Sequence, residues 1–145
     1  MKALIQRVKR ASVTVQGERI SQIGVGLLVF LGVEKGDTSE NADKLADKLV
    51  HLRIFEDKND KMNLSLFDVK GEILVVSQFT LCGNCAKGTR PGFDRAELPQ
   101  KANELYEYFI SKVKILGIEV QSGKFGAMMD VELINDGPVT FMVEK

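Results

Sequence analysis

Leu27 to Val33 is apolar at every position except Gly32, and such a run fits a strand buried on both faces rather than one face. Ile73 to Phe79 reads as a second strongly apolar strand. Between them the period changes. Ala42, Leu45, Ala46, Leu49, Val50 and Leu52 recur at helical spacing, with Thr38 or Ser39 as N-cap. A second helix is predicted from about Pro99, with Ala102, Leu105, Tyr106, Phe109, Ile110, Val113 and Leu116 on one face. Proline suits that first turn, where a missing N–H costs no intrahelical bond. Ser12-Val13-Thr14-Val15 and Ile20-Ser21-Gln22-Ile23 alternate around Gln16-Gly17-Glu18 as a hairpin. Strands near Glu119-Val120-Gln121, Val131 to Ile134 and Val139 to Val143 complete the chain. Leu81 to Arg95, with three glycines and Pro91, reads as a long loop. Two helices among about seven strands predict an α/β domain of sheet layers with helices packed on one side. At 145 residues without repeat or linker, residues 1–145 are expected to form one domain.

Charge narrows the possible partners. Lys plus Arg and Asp plus Glu are both 20, so no overall field draws the chain to polyanions. A nucleic-acid partner must then be held through a small local footprint. Leu4-Ile5-Gln6-Arg7-Val8 lacks the long apolar core of a signal peptide, and Val25 to Val33 is too short to span a bilayer. With two cysteines and no such signal, a cytoplasmic, reducing location and no membrane partner are expected.

Conventional catalytic side chains are scarce. His51 is the single histidine, at the polar end of the first helix, and no G-x-S-x-G elbow, Walker A loop or G-x-G-x-x-G is present. Cys82-Gly83-Asn84-Cys85 is a lone C-x-x-C, half of what a tetrahedral zinc site needs, and a loop rather than a helix follows it. No metal and no cofactor is expected.

Two segments remain. Ser77-Gln78-Phe79-Thr80 ends the second apolar strand, and Thr80 is either a β-branched residue finishing a strand or a hydroxyl presented beside the N–H groups of Gln78 to Leu81. Asn135-Asp136-Gly137-Pro138 stands between two strand-like runs. It is either a tight turn or a cis Gly-Pro unit, a form taken by about 5–6% of X-Pro bonds. A cis bond would turn neighbouring carbonyls the same way, making a rigid acceptor pair for a cation such as a substrate ammonium.

Ser77-Gln78-Phe79-Thr80-Leu81 and Asn135-Asp136-Gly137-Pro138-Val139-Thr140, in this order, resemble the two signature motifs of the D-aminoacyl-tRNA deacylase (D-tyrosyl-tRNA deacylase) family. The similarity includes Arg7-Val8 with Ala11-Ser12-Val13, the loop Lys87-Gly88-Thr89-Arg90-Pro91-Gly92-Phe93, and Lys124-Phe125-Gly126-Ala127-Met128-Met129. Met128 stands where the family often has an acidic residue and Gly92 where it often has serine, while Cys82 and Cys85 are no part of the signature.

The resemblance implies a three-layer β/β/α sandwich and a cytosolic homodimer with its pocket at the subunit interface. It implies a hydrolase that cleaves D-amino acids, and glycine mischarged on alanine tRNA, from the 3′-terminal adenosine of tRNA, sparing L-aminoacyl-tRNA. Carried over by position, Gly137 and Pro138 would reach into the partner's site and hold the α-ammonium, with Arg7 fixing their loop. Ser77, Gln78, Phe79 and Thr80 would line the ester, with the Phe79 N–H as oxyanion donor, and Phe125 and Met129 would contact the adenosine. Lys87, Arg90 and Arg95 are the nearest phosphate candidates, or simply a solvated loop. Thr80 as a nucleophile would need a base, and its motif holds none, so a positioning role ranks first. Two rival readings are a non-catalytic RNA-binding module and a thiol oxidoreductase built on Cys82 and Cys85.

Overall fold

One long strand organises the computed structural model, which describes residues 1–145. The strands are β1 (Lys2–Val15), β2 (Glu18–Ile23), β3 (Gly26–Gly32), β4 (Phe55–Glu56), β5 (Met62–Leu64), β6 (Glu72–Ser77), β7 (Val120–Ser122) and β8 (Asp130–Glu144). The helices are α1 (Ser39–His51), α2 (Leu66–Val69) and α3 (Pro99–Ile115). Along one edge, β1 gives its first half to β3, from Lys2 opposite Gly32 to Val8 opposite Gly26. Its second half goes to β2, from Ala11 opposite Ile23 to Val15 opposite Glu18. β8 runs antiparallel to β1 along nearly its whole length. β6 lies parallel to β3 and β7 parallel to β6, so the sheet is mixed. The hairpin turn is Gln16-Gly17, both with positive φ, the geometry that suits the twist of two-residue hairpins.

The apolar pattern explains why this sheet folds over itself. Leu27, Val29 and Leu31 of β3, with Ile73 and Val75 of β6, belong to the core under α1 and α3. Their neighbours Leu28, Leu74 and Val76 belong to a second core with Val8, Ala11, Val13 and Ile23. Alternate residues of a strand face opposite sides, so β3 and β6 are covered on both faces. One cover is helical and the other is β, giving the β/β/α layering. In β1 the buried apolar positions run Ala3, Ile5, Val8, Ala11, Val13, so the phase of alternation slips between Ile5 and Ala11. That slip coincides with register shifts against β8 and moves β1 from one layer into the other. Tyr106 fixes α3 onto the sheet through its hydroxyl, which donates to the Val75 carbonyl at 2.9 Å.

Three sequence expectations change. The strand predicted over Ile73 to Phe79 stops at Ser77, because Gln78 turns into a 3₁₀ segment, Phe79–Cys82. That segment folds back over Gly32, where a Cβ would come within 3.1 Å of both the Gln78 carbonyl and the Leu81 Cβ. The runs 131–134 and 139–143 are parts of the single strand β8, not two strands joined by a turn. The small pair β4–β5 and the short α2 have no counterpart in the predicted elements.

Candidate functional site

The register between β1 and β8 locates the first half of the site. Gln6 pairs with Thr140 and Val8 with Asn135, so Asp136, Gly137, Pro138 and Val139 all stand against Arg7 alone. Four residues opposite one make a special bulge, larger than the usual two against one, which re-aims a strand without reversing it. The tight-turn reading is therefore overturned. Val139 is fully buried and anchors the bulge, while Gly137 and Pro138 are exposed and joined by a cis peptide bond.

Two side chains brace this bulge. Asn135 Nδ2 donates to the Arg7 carbonyl at 3.0 Å and to the Val139 carbonyl at 3.1 Å, closing the loop across its neck. The Arg7 residue is only 2% exposed. Its Nε donates to the Asp136 carbonyl at 3.1 Å and lies 2.9 Å from Asp136 Oδ2. Nη1 donates to the Ile54 carbonyl at 2.8 Å, and Nη2 lies 3.3 Å from Glu56 Oε1. A planar guanidinium can hold several acceptors in fixed directions at once, which an ammonium cannot. Asn135, Asp136, Ile54 and Glu56 were not singled out by sequence reasoning for this bracing. An amide residue directly before the Asp-Gly-Pro run was the available signal.

The second half is the turn after β6. The Gln78 N–H donates to the Leu31 carbonyl at 2.8 Å, Leu81 N–H to the Gln78 carbonyl at 3.2 Å, and Gly83 N–H to the Thr80 carbonyl at 3.0 Å. The N–H groups of Phe79 and Thr80 find no acceptor within the chain. Both residues are exposed. The Gln78 side-chain amide donates to the Thr80 hydroxyl oxygen, leaving the hydroxyl hydrogen free, and no histidine or carboxylate bonds that hydroxyl. His51 sits at the end of α1, with Nδ1 at 2.9 Å from the Asp47 carbonyl and its ring against Phe67. Ser77 is half-buried at the end of β6.

Within one chain these halves are far apart. Arg7, opposite the bulge, pairs with Leu27 of β3, whereas Ser77 pairs with Leu31 of the same strand. The offset is four residues along the strands and three strand spacings across them, or about 19 Å measured along the sheet at ~3.3 Å per residue and ~4.8 Å per strand.

The other candidates scatter. Phe125 is half-buried, its ring centroid 5.7 Å from Tyr106, and it packs against the core under the helices. Met129 is half-buried against the second core. Arg95 Nε is 3.2 Å from Glu34 Oε1, while Lys87 and Arg90 are exposed without a carboxylate partner. Cys82 is buried, its thiol 3.4 Å from the Val33 carbonyl and pushed above its ordinary pKa by burial, with Glu34 adding to the effect. Cys85 is exposed, and the two are not bonded. No group of three or more His, Cys, Asp or Glu is arranged to hold a metal, and no helix is long and apolar enough to cross a membrane.

A family model described as D-Tyr-tRNA(Tyr) deacylase matches residues 4–144. The D-aminoacyl-tRNA deacylase of Geotalea daltonii (strain DSM 22248 / JCM 15807 / FRC-32) is 62% identical over 144 residues, covering 99% of this chain and 96% of that one. The D-aminoacyl-tRNA deacylase of Clostridioides difficile (strain 630) is 56% identical over 145 residues, covering 100% and 97%. A solved structure described as c-Myc DNA Unwinding Element Binding Protein superposes with a TM-score of 0.95 at 43% identity, covering 100% of this chain and 99% of that one. A probable eukaryotic D-amino acid tRNA deacylase shares the fold, with a TM-score of 0.84 at 20% identity over 99% of this chain and 98% of that one.

Proposed function

The chain belongs to the D-Tyr-tRNA(Tyr) deacylase family, hydrolases of aminoacyl-tRNA esters, and we propose that its two main-chain segments divide the chemistry between two subunits. The observation that carries the reading is the pair of unspent N–H groups on Phe79 and Thr80, exposed beside a hydroxyl with no base. Such donors suit a developing oxyanion, and one of them is worth about 2.7–4 kcal/mol of barrier. Water attacks the ester carbonyl, and the negative charge forms on the oxygen facing the Phe79 N–H. The ribose hydroxyl beside the ester relays a proton to the leaving oxygen, which releases the amino acid and a free 3′ end. Thr80 orients the ester, held in turn by Gln78, and Ser77 lines the floor. Phe125 and Met129 contact the terminal adenosine.

The second wall is the bulge, whose Gly137 and Pro138 carbonyls hold the α-ammonium. The ammonium and carbonyl of an aminoacyl ester share one α-carbon, so a bulge about 19 Å from the turn cannot serve the same substrate within one chain. A homodimer that sets one subunit's bulge against its partner's turn resolves this. β8 supports such pairing, since it is the outer strand beside β1 and exposes Ile134, Phe141 and Met142. Unpaired edges of this kind invite another strand. With ammonium and ester both fixed, a rigid wall closes the direction of an L side chain and leaves a D side chain in solvent. Exclusion of this kind needs no contact with any particular side chain. Glycine has nothing to exclude, so glycine mischarged on alanine tRNA passes too. The cytoplasm is the proposed compartment.

Purified protein is offered D-tyrosyl-, L-tyrosyl- and glycyl-tRNA, with sedimentation run on the same sample. Hydrolysis of the D and glycyl esters by a dimer, with the L ester spared, is expected. Equal rates on both tyrosyl esters, or none on the D ester, would sink the reading.

A further inference from the structure

The turn that offers the Phe79 N–H also presents an aromatic surface that the ester chemistry does not use. Phe79 is 59% exposed and Phe93 38% exposed, and their rings lie side by side at 5.0 Å between centroids with a 58° tilt. Large aromatics are normally hidden, so two of them side by side at the surface point to a partner.

The pair is held in place. Asn84 and Gly92 exchange two backbone hydrogen bonds, of 2.8 and 3.0 Å, which close the loop between them and bring Phe93 back to the turn. Asn84 Oδ1 accepts the Ala86 N–H at 2.9 Å inside that loop. Gly83 leaves room for the Phe93 ring, because a Cβ there would lie 3.0 Å from its Cε1 and 2.9 Å from the Thr80 carbonyl. Closing the loop also fixes what stands at its far end. Lys87 and Arg90 are exposed there and form no ion pair. Exposed aromatic faces at the neck of a loop that carries unpaired cations suit a single-stranded nucleic acid, with bases on the rings and phosphates on the charges.

We propose that the Phe79–Phe93 pair stacks the base of the nucleotide preceding the terminal adenosine, while Lys87 and Arg90 take the phosphates of that unpaired 3′ end. The proposal rests on the deacylase reading, since it takes the ester to lie at the Phe79 N–H. The Phe79 ring and N–H belong to one residue, so the stacked base lies a side chain's length from the reacting carbonyl. That distance suits the neighbouring nucleotide, not a remote part of the tRNA. The pair is thus a subsite that reads the substrate as a nucleic acid strand, separately from its aminoacyl group.

Two substrates separate the outcomes. D-Tyrosyl-tRNA carries the preceding nucleotide, whereas D-tyrosyl adenosine, esterified at the ribose, does not. Phe93→Leu keeps an apolar side chain at the position but removes the stacking face. The ratio of kcat/KM for the tRNA to that for the adenosine ester should fall about tenfold in this variant, in line with loss of one base–aromatic stack. Lys87→Ala with Arg90→Ala should flatten the salt dependence of kcat/KM on tRNA by about 0.7 per lost phosphate contact. An unchanged ratio in Phe93→Leu overturns the subsite. So does an equal fall on both substrates, which would mean that Phe93 only props Phe79, or dissociation of the variant into monomers. Failure of the unsubstituted protein on both D esters sinks the deacylase reading itself, and the subsite with it.

Discussion

The bulge at Asp136–Val139 and the turn at Phe79–Cys82 both hold main chain out to solvent, yet they are fixed in opposite ways. The bulge is over-determined. Arg7 grips it from below, Asn135 closes its neck and Val139 is sunk in the core. The turn is braced mainly by backbone bonds around Gln78 and by packing over Gly32, and its outward N–H groups are left unspent. A wall that must exclude one stereoisomer by shape has to be rigid, because a yielding wall excludes nothing. A donor that must meet a charge appearing only during reaction has to be free of other acceptors. The contrast predicts that damage to the bulge reads out in selectivity and stability, and damage to the turn in rate.

The largest effect is expected at Arg7. Arg7→Lys keeps the charge but loses the fork, leaving the Ile54 and Asp136 carbonyls short of donors in a buried setting. Breaking a buried network of this kind costs about 3 kcal/mol, which is about 10 °C in Tm for a domain of this size. The ratio of D-tyrosyl- to L-tyrosyl-tRNA hydrolysis should fall with it, measured at a temperature where circular dichroism shows the variant folded. A destabilised variant with an unchanged ratio would show that the bulge is scaffold and not the stereochemical wall.

A smaller effect is expected at Thr80. Thr80→Val removes the hydroxyl that accepts from Gln78 and that the proposed mechanism sets against the ester. A neutral hydrogen bond is worth about 0.5–1.5 kcal/mol, so kcat should drop by roughly tenfold or less, with selectivity kept. Complete loss of turnover with tRNA binding intact would instead make Thr80 the nucleophile. Stopped assays with labelled D-tyrosyl-tRNA, with binding measured separately, tell the two apart.

What could be read beforehand follows from where the information lies. The helices at Ala42–Val50 and Ala102–Val113 were legible because one face repeats its apolar residues. The double burial of β3 was legible because no polar residue interrupts Leu27–Leu31. The first half of β1 was not recognised, although Ala3 and Ile5 alternate, since Val8 and Ala11 break the phase where the strand changes layers. Ser65 and Asp68 cap each other at the start of α2, and that Ser-x-x-Asp spacing is the one local signal for this short helix. The motif residues, and Arg7 as the brace of the Gly137-Pro138 loop, were legible by resemblance, but the Asn135 amide that closes the loop's neck and the Ile54 carbonyl that holds Arg7 were not. Arg7 meets Asp136 across β1 and β8, and a register with four residues against one is set by tertiary pairing, which no local pattern reports.

Cys82 and Cys85 sharpen the contrast from the other side, because they end and follow the turn without serving either wall. Cys82 is buried against the Val33 carbonyl, and burial holds its thiol above the ordinary pKa, so little reactive thiolate forms near neutral pH. Cys85 is exposed on the loop. Iodoacetamide at pH 7.5 should therefore label Cys85 alone in the folded protein, seen as one added mass on the peptide carrying it, and both cysteines after unfolding. Deacylation of D-tyrosyl-tRNA should survive Cys82→Ser with Cys85→Ser within about threefold, because the Cys82 thiol is spent on the Val33 carbonyl and a buried Cys acts as a small apolar residue. Loss of all activity in that double variant, with the fold intact, would return the turn to thiol chemistry and leave its unspent N–H groups without a role.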